Sequence, residues 1–184
     1  MRDDEQSVSI SAQRGLLAGR FQPFHNGHMA AIDDALAVVP ELIVAVAAIE
    51  VNLTTKNPFT CRERLEMIWR SLGGSYRTRC MLMPLPDNIN NALWLRYAQQ
   101  YLPHFSLAFT NNPIQAIIMK TYNVPARPIA YMARQQLQGS VIRSLLSAGD
   151  ARWRGLVPNG SLSMLDEIGA EERLASLDRE TELH

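Results

Sequence analysis

The stretch Leu42-Ile43-Val44-Ala45-Val46-Ala47-Ala48-Ile49 is eight apolar residues without a charge. A strand with one wet face would alternate apolar and polar side chains. This one does not, so it reads as a strand covered on both faces, as in a parallel sheet. A membrane span needs about 20 such residues, so the run is a buried strand. Upstream, residues 14–18 end in an apolar run before Gly19 and read as the first strand. Residues 27–39 then place Met29, Ile32 and Leu36 at helical spacing and stop at Pro40. Downstream, Thr60 and Glu63 form a capping box for a helix over 62–72, which Gly73-Gly74 ends.

The same alternation continues to the C-terminus. Residues 79–83 read as a third strand closed by Pro84 and Pro86, and residues 91–101 as a helix. Residues 105–109 read as a fourth strand. Asn112-Pro113 then supplies an N-cap and a first helical position. A short fifth strand is expected over 126–131, a helix opened by Ser140 over 141–148, and one charged helix over 163–179. Strands alternating with helices predict an α/β fold: a Rossmann-like, doubly wound parallel sheet of about five strands with a helical C-terminal segment. Ligands of such sheets bind beyond the carboxyl ends of the strands.

The 184 residues suit one domain, expected over 14–184. Residues 1–13 begin Met1-Arg2-Asp3-Asp4-Glu5, carry no apolar core of a signal peptide, and read as a disordered leader. Cys61 and Cys80 lack metal-ligand spacing and read as thiols of a reducing compartment, hence a cytoplasmic protein without a membrane segment. The 18 basic and 18 acidic residues cancel, but unevenly. Residues 1–59 carry a net −3, residues 60–160 a net +8 and residues 161–184 a net −5. Of the basic residues 16 are Arg, whose planar fork matches phosphate. Without a run of clustered Lys/Arg, a small phosphate-rich ligand is favoured over nucleic acid, beside the plainer reading of a solvated surface.

Four constellations stand at the strand ends. The first is Gly19-Arg20-Phe21-Gln22-Pro23-Phe24-His25-Asn26-Gly27-His28. His25 and His28 are three apart across a helix start, so both can face one side, and Gly27 lets backbone approach a ligand. With Arg20 and a helix N-terminus they make an anion cradle. The second is Gly139-Ser140-Val141-Ile142-Arg143, where a Ser140 cap would put Arg143 in a first turn. The third runs from Asp87 through Asn91 to Trp94. Trp94 is either core or an aromatic face for a ligand ring. In the fourth, capping accounts for Asn112 and leaves Asn111 to point at a ligand.

The sequence His25-Asn26-Gly27-His28 resembles the H-x-G-H signature of the nucleotidyltransferase α/β-phosphodiesterase superfamily. Arg14-Gly15-Leu16-Leu17, Asn57-Pro58-Phe59-Thr60, Glu63-Arg64, Asn112-Pro113 and Leu156-Val157-Pro158 extend the likeness, which points to the archaeal-type nicotinamide mononucleotide (NMN) adenylyltransferases. That resemblance implies transfer of an adenylyl group from ATP to NMN, giving NAD and pyrophosphate. It implies catalytic roles on the ATP phosphates for Arg20, His25, His28 and Arg143. Gly19, Phe21, Gln22, Gly27, Asn111, Gly139, Ser140 and Ile142 would line the ATP side. Trp94 would stack on the nicotinamide, with Asp87 and Asn91 nearby. Lys56 stands where the family has a phosphate-binding Arg. Mg²⁺ would enter with ATP rather than on protein ligands, and the enzyme would be a homo-oligomer. The chain departs from the family after its second strand. Ala47-Ala48-Ile49-Glu50 and Asn52-Leu53 replace Gly-Ser-Ala-Gln and a Ser-His pair, placing Glu50 on the acceptor side. Two alternatives follow: a nucleotidyltransferase with another phosphorylated acceptor, or a catalytically weak nucleotide-binding module.

Overall fold

A computed structural model describes residues 14–86, 91–130 and 137–182. The leader and Asp87 lie outside the described residues. The strands are β1 (Arg14–Gly19), β2 (Glu41–Ala47), β3 (Cys80–Leu85), β4 (Leu107–Phe109) and β5 (Ala126–Arg127). They form one parallel sheet in the order β3-β2-β1-β4-β5. The order reverses between β1 and β4, which leaves a crevice at their carboxyl ends.

Both faces of the sheet are covered, which explains the unbroken apolar run. Leu42, Val44 and Val46 point into one core with α1 (Asn26–Leu36), α2 (Cys61–Ser71) and α6 (Gly139–Ser147). Ile43 and Ala45 point into a second core with α4 (Asn91–Tyr101) and α5 (Pro113–Thr121). Successive side chains leave opposite faces, so no position on β2 from Leu42 on is left for a polar residue. The expected caps of two helices are present. Thr60 Oγ1 accepts from Glu63 N (3.3 Å), the Glu63 carboxylate accepts from Thr60 N (2.9 Å), and Asn112 Oδ1 accepts from Ile114 N (2.9 Å).

Several boundaries differ from expectation. β3 runs through Pro84 instead of ending before it. It is an edge strand, where a missing N–H costs no ladder bond. β2 stops at Ala47, because Ala48 turns out of the strand at φ 54°. β4 starts at Leu107 and β5 ends at Arg127. A short helix α3 (Ser75–Arg79) fills the turn before β3, and a 3₁₀ turn spans Ala151–Leu156. The single helix expected over 163–179 is two, α7 (Asn159–Glu167) and α8 (Ala170–Glu182). Gly169 between them adopts φ 61°, the left-handed conformation that ends a helix and redirects the chain.

Candidate active site

The β1–α1 loop forms the floor of the crevice. Phe21, Phe24 and His25 are buried while Arg20 is exposed. Phe21 adopts φ 51°, an uncommon conformation for a bulky residue and one that persists where surroundings enforce it. His25 is the extended N-cap of α1, and its backbone N–H donates to His28 Nδ1 at 3.2 Å. That bond fixes the neutral tautomer of His28 with its proton on Nε2. The two imidazoles stack with centroids 3.6 Å apart, and His28 also stacks on Phe24 and meets the Phe21 ring edge-on. Burial pushes His25 down to about 4; burial and the neighbouring His25 hold His28 well below the ordinary imidazole range. Both rings are therefore neutral at pH 7. His25 Nδ1 is buried with no hydrogen-bond partner among the described residues.

Above the loop opens a cavity of about 740 Å³. Gly19, Arg20, Phe21, His25, Gly27 and His28 line one side, and residues 110–115 after β4 line the other. Trp94 and Ala47 close a third wall. Trp94 is 4% exposed, belongs to the second core and also lines the cavity. The described lining contains no carboxylate. A hard cation entering here would meet only neutral oxygens among the described lining residues, such as those of Thr110 and Gln115.

Some expected ligand groups are engaged elsewhere. Asn111 lines the cavity while its amide is bonded within the protein. Its amide donates to Ile129 O (2.8 Å) and accepts from Ile129 N (3.1 Å), continuing the β4–β5 pairing beyond the short β5. Gln22 does the same with Phe59, donating to its carbonyl (2.9 Å) and accepting from its N–H (3.0 Å). Ser140 is not the cap of α6. Gln138 holds that position without a side-chain bond, and Arg143 lies beyond the first turn. Arg143 donates from Nε to Thr55 O (3.1 Å) and from Nη1 to Gln22 O (2.8 Å), tying the loop of exposed Lys56 to the β1–α1 loop. A Cβ on Gly139 would come within 2.8 Å of Gln22 O, so only glycine lets α6 approach that closely. Ile142 is fully buried and packs the core rather than facing a ligand. Asn91 begins α4. Glu50 is exposed on the turn after β2, and its charge reaches Cys61, Arg64 and Tyr97.

Two residues of this region carried too little local signal to be singled out. Arg64 is 0% exposed beneath the loop. Arg173 on α8 donates to both Glu63 oxygens (2.8 and 2.9 Å) and to Pro58 O (3.3 Å). An arginine next to a capping-box glutamate was the available hint for the first. The second lies 110 residues from its partner.

Comparison with known proteins agrees with this geometry. The cytidylyltransferase-like family model matches residues 16–144. A nicotinamide-nucleotide adenylyltransferase of Caldivirga maquilingensis is 39% identical over 163 residues, 88% of this chain and 92% of the relative. One from Methanocorpusculum labreanum is 35% identical over 91% of this chain and 98% of its own length. The fold matches a solved bifunctional NMN adenylyltransferase/ADP-ribose pyrophosphatase of Francisella tularensis, complexed with AMP and a manganese ion (TM-score 0.73, 17% identity). The match covers 94% of this chain, which spans 53% of that longer one. Within the cytidylyltransferase-like family, the chain belongs to the nicotinamide-nucleotide adenylyltransferases.

Proposed function

We propose that the chain joins ATP and NMN into NAD and pyrophosphate by one direct displacement. An oxygen of the NMN phosphate attacks the ATP α-phosphorus, the bond to the bridging oxygen breaks, and pyrophosphate leaves with that electron pair. The attacking phosphate is already anionic at neutral pH, so no protein nucleophile is required. What the protein supplies is alignment and charge stabilisation. The carrying observation is the neutral, stacked His25/His28 pair at the start of α1, facing the cavity beside Arg20. In this reading His28 Nε2–H and His25 donate to the oxygens on which charge grows, and Arg20 neutralises the triphosphate. Lys56 adds positive charge from the adjoining loop and Arg143 from α6. Trp94 offers its face to the nicotinamide. Mg²⁺ comes as part of the ATP complex.

His28→Ala should lower kcat on the order of 10²–10³-fold, as loss of an oxyanion donor does, with an unchanged circular dichroism spectrum. Near-wild-type turnover in that variant would overturn the assignment. Glu50 favours a second reading, a nucleotidyltransferase with another phosphorylated acceptor, because it puts a carboxylate near α4 where the family has neutral groups. Pyrophosphate release measured across a panel of acceptors separates the two. A melt stabilised by ATP with no product formed would point to the weak binding module. The proposal also includes a cytoplasmic homo-oligomer. Its mass by light scattering tests the assembly. No described helix is long and apolar enough to cross a membrane.

A further inference from the structure

Among the described residues Arg64 is the one arginine that is 0% exposed, and it forms no ion pair with a carboxylate there. Its guanidinium donates to four backbone carbonyls: Arg20 O (2.8 Å), Ala47 O (2.6 Å), Ala48 O (3.0 Å) and Thr60 O (3.3 Å). Those carbonyls come from three separate segments: the β1–α1 loop, the exit of β2 and the cap of α2. A buried charge is costly, and a hydrophobic side chain of similar size would pack α2 without that cost. The charge therefore calls for an explanation beyond packing.

Two backbone features supply one. Phe21 follows Arg20 with φ 51°, and Ala48 follows Ala47 with φ 54°. Both are non-glycine residues in the left-handed region, which persists only where surrounding contacts enforce it. Arg64 binds the carbonyl just before each of them, and the carbonyl of Ala48 itself. One side chain thus clamps the two turns that aim Arg20 and His25 on one side and Ala47 on the other into the same cavity. The clamp also carries charge. Burial lowers the Arg64 and Arg143 guanidiniums most, and the like charge of Arg20 lowers both further. Glu50 is the carboxylate that acts on Arg64, from beyond ion-pair distance. Two guanidiniums, each within reach of the Arg20 charge around one loop, are an arrangement that a polyanion relieves.

We propose that Arg64 is a positioning residue for the triphosphate: it holds the β1–α1 loop and the β2 turn in binding geometry and lends its buried charge to the phosphates without touching them. The proposal rests on the triphosphate reading of the cavity. The test uses the full chain, titrated calorimetrically with inorganic tripolyphosphate and separately with adenosine, in wild type, Arg64→Lys and Arg64→Met. Lysine keeps the charge but cannot hold all four carbonyls; methionine keeps bulk alone. We expect tripolyphosphate affinity to fall about tenfold or more in Arg64→Lys and further in Arg64→Met, adenosine affinity to stay within about twofold, and kcat to fall about 10²-fold. A residue that merely supports the fold would lower the melting temperature and leave tripolyphosphate affinity and kcat of the folded variant at wild-type values; that result overturns the proposal. If Arg64→Met does not fold, Arg64→Lys decides alone. Wild-type protein that fails to bind tripolyphosphate would instead overturn the reading of the cavity, and this inference with it.

Discussion

Under the proposed function, His25 and His28 tie phosphate binding to protons. An imidazole free in water titrates near 6.5, whereas His25 is pushed to about 4 by burial and His28 lies well below the ordinary range. Between about pH 6.5 and 4 the unfolded chain holds protons that the folded chain lacks, so stability falls as pH drops through that window. A bound polyanion reverses the preference by favouring the charged rings. Calorimetry of tripolyphosphate binding near pH 6, in two buffers of different ionisation enthalpy, should show net proton uptake that shrinks in His25→Asn. Equal uptake in wild type and variant would contradict this. The His pair could be read from sequence because its meaning is local: a spacing of three at a helix start. Asn111 and Gln22 could not. Their amides complete the backbones of Ile129 and Phe59, 18 and 37 residues away, and no local pattern announces such a partner.

Elements were legible where caps and periodicity are local and blurred where a distant neighbour sets the boundary. The Thr60–Glu63 capping box is a pattern within four residues, and the structure contains it. The passage of β3 through Pro84 depends on that strand lying at the sheet edge, which only the assembled order reveals. The break at Gly169 lies inside a stretch with continuous helical character, and it turns α8 so that Arg173 meets Glu63. Burial alone would raise the Glu63 carboxyl, but the bonds from Arg173 and Thr60 outweigh it and hold the group below the usual range. The folded chain thus keeps Glu63 ionised at pH values where the unfolded chain, titrating near 4.3, has begun to protonate. Stability from this pair is complete above that value and is lost as pH falls through the folded pKa. Glu63→Gln should cost about 1–2 kcal/mol at pH 7, since it removes a partly buried charge pair and weakens a cap. The same variant should flatten the acid limb of a melting-temperature profile, and an unchanged limb would show that α8 is not anchored there.

At the scale of the molecule, the zero net charge conceals a sorted distribution. Most arginines of the basic middle do not face the cavity. Arg70 pairs with Glu66 and Glu167, Arg154 with Asp166, and Arg152 with Asp150. Arg77 binds backbone carbonyls at the end of α2, and Arg79 those from the end of α1 up to β2. Arg64 and Arg143 instead lie with Arg20 around one loop, without a carboxylate in ion-pair reach among the described residues. Composition could show the excess of Arg but not this sorting, which needs the sheet to bring residues 20, 64 and 143 together. The sheet order does so at the point where the strands diverge, and the cavity wall with Trp94 follows from the same topology. The central claim is the reaction itself. Purified protein with ATP, Mg²⁺ and NMN should form NAD and pyrophosphate in equal amounts, both abolished when NMN is omitted. Pyrophosphate released only with another phosphorylated acceptor, or none released at all, would contradict the account.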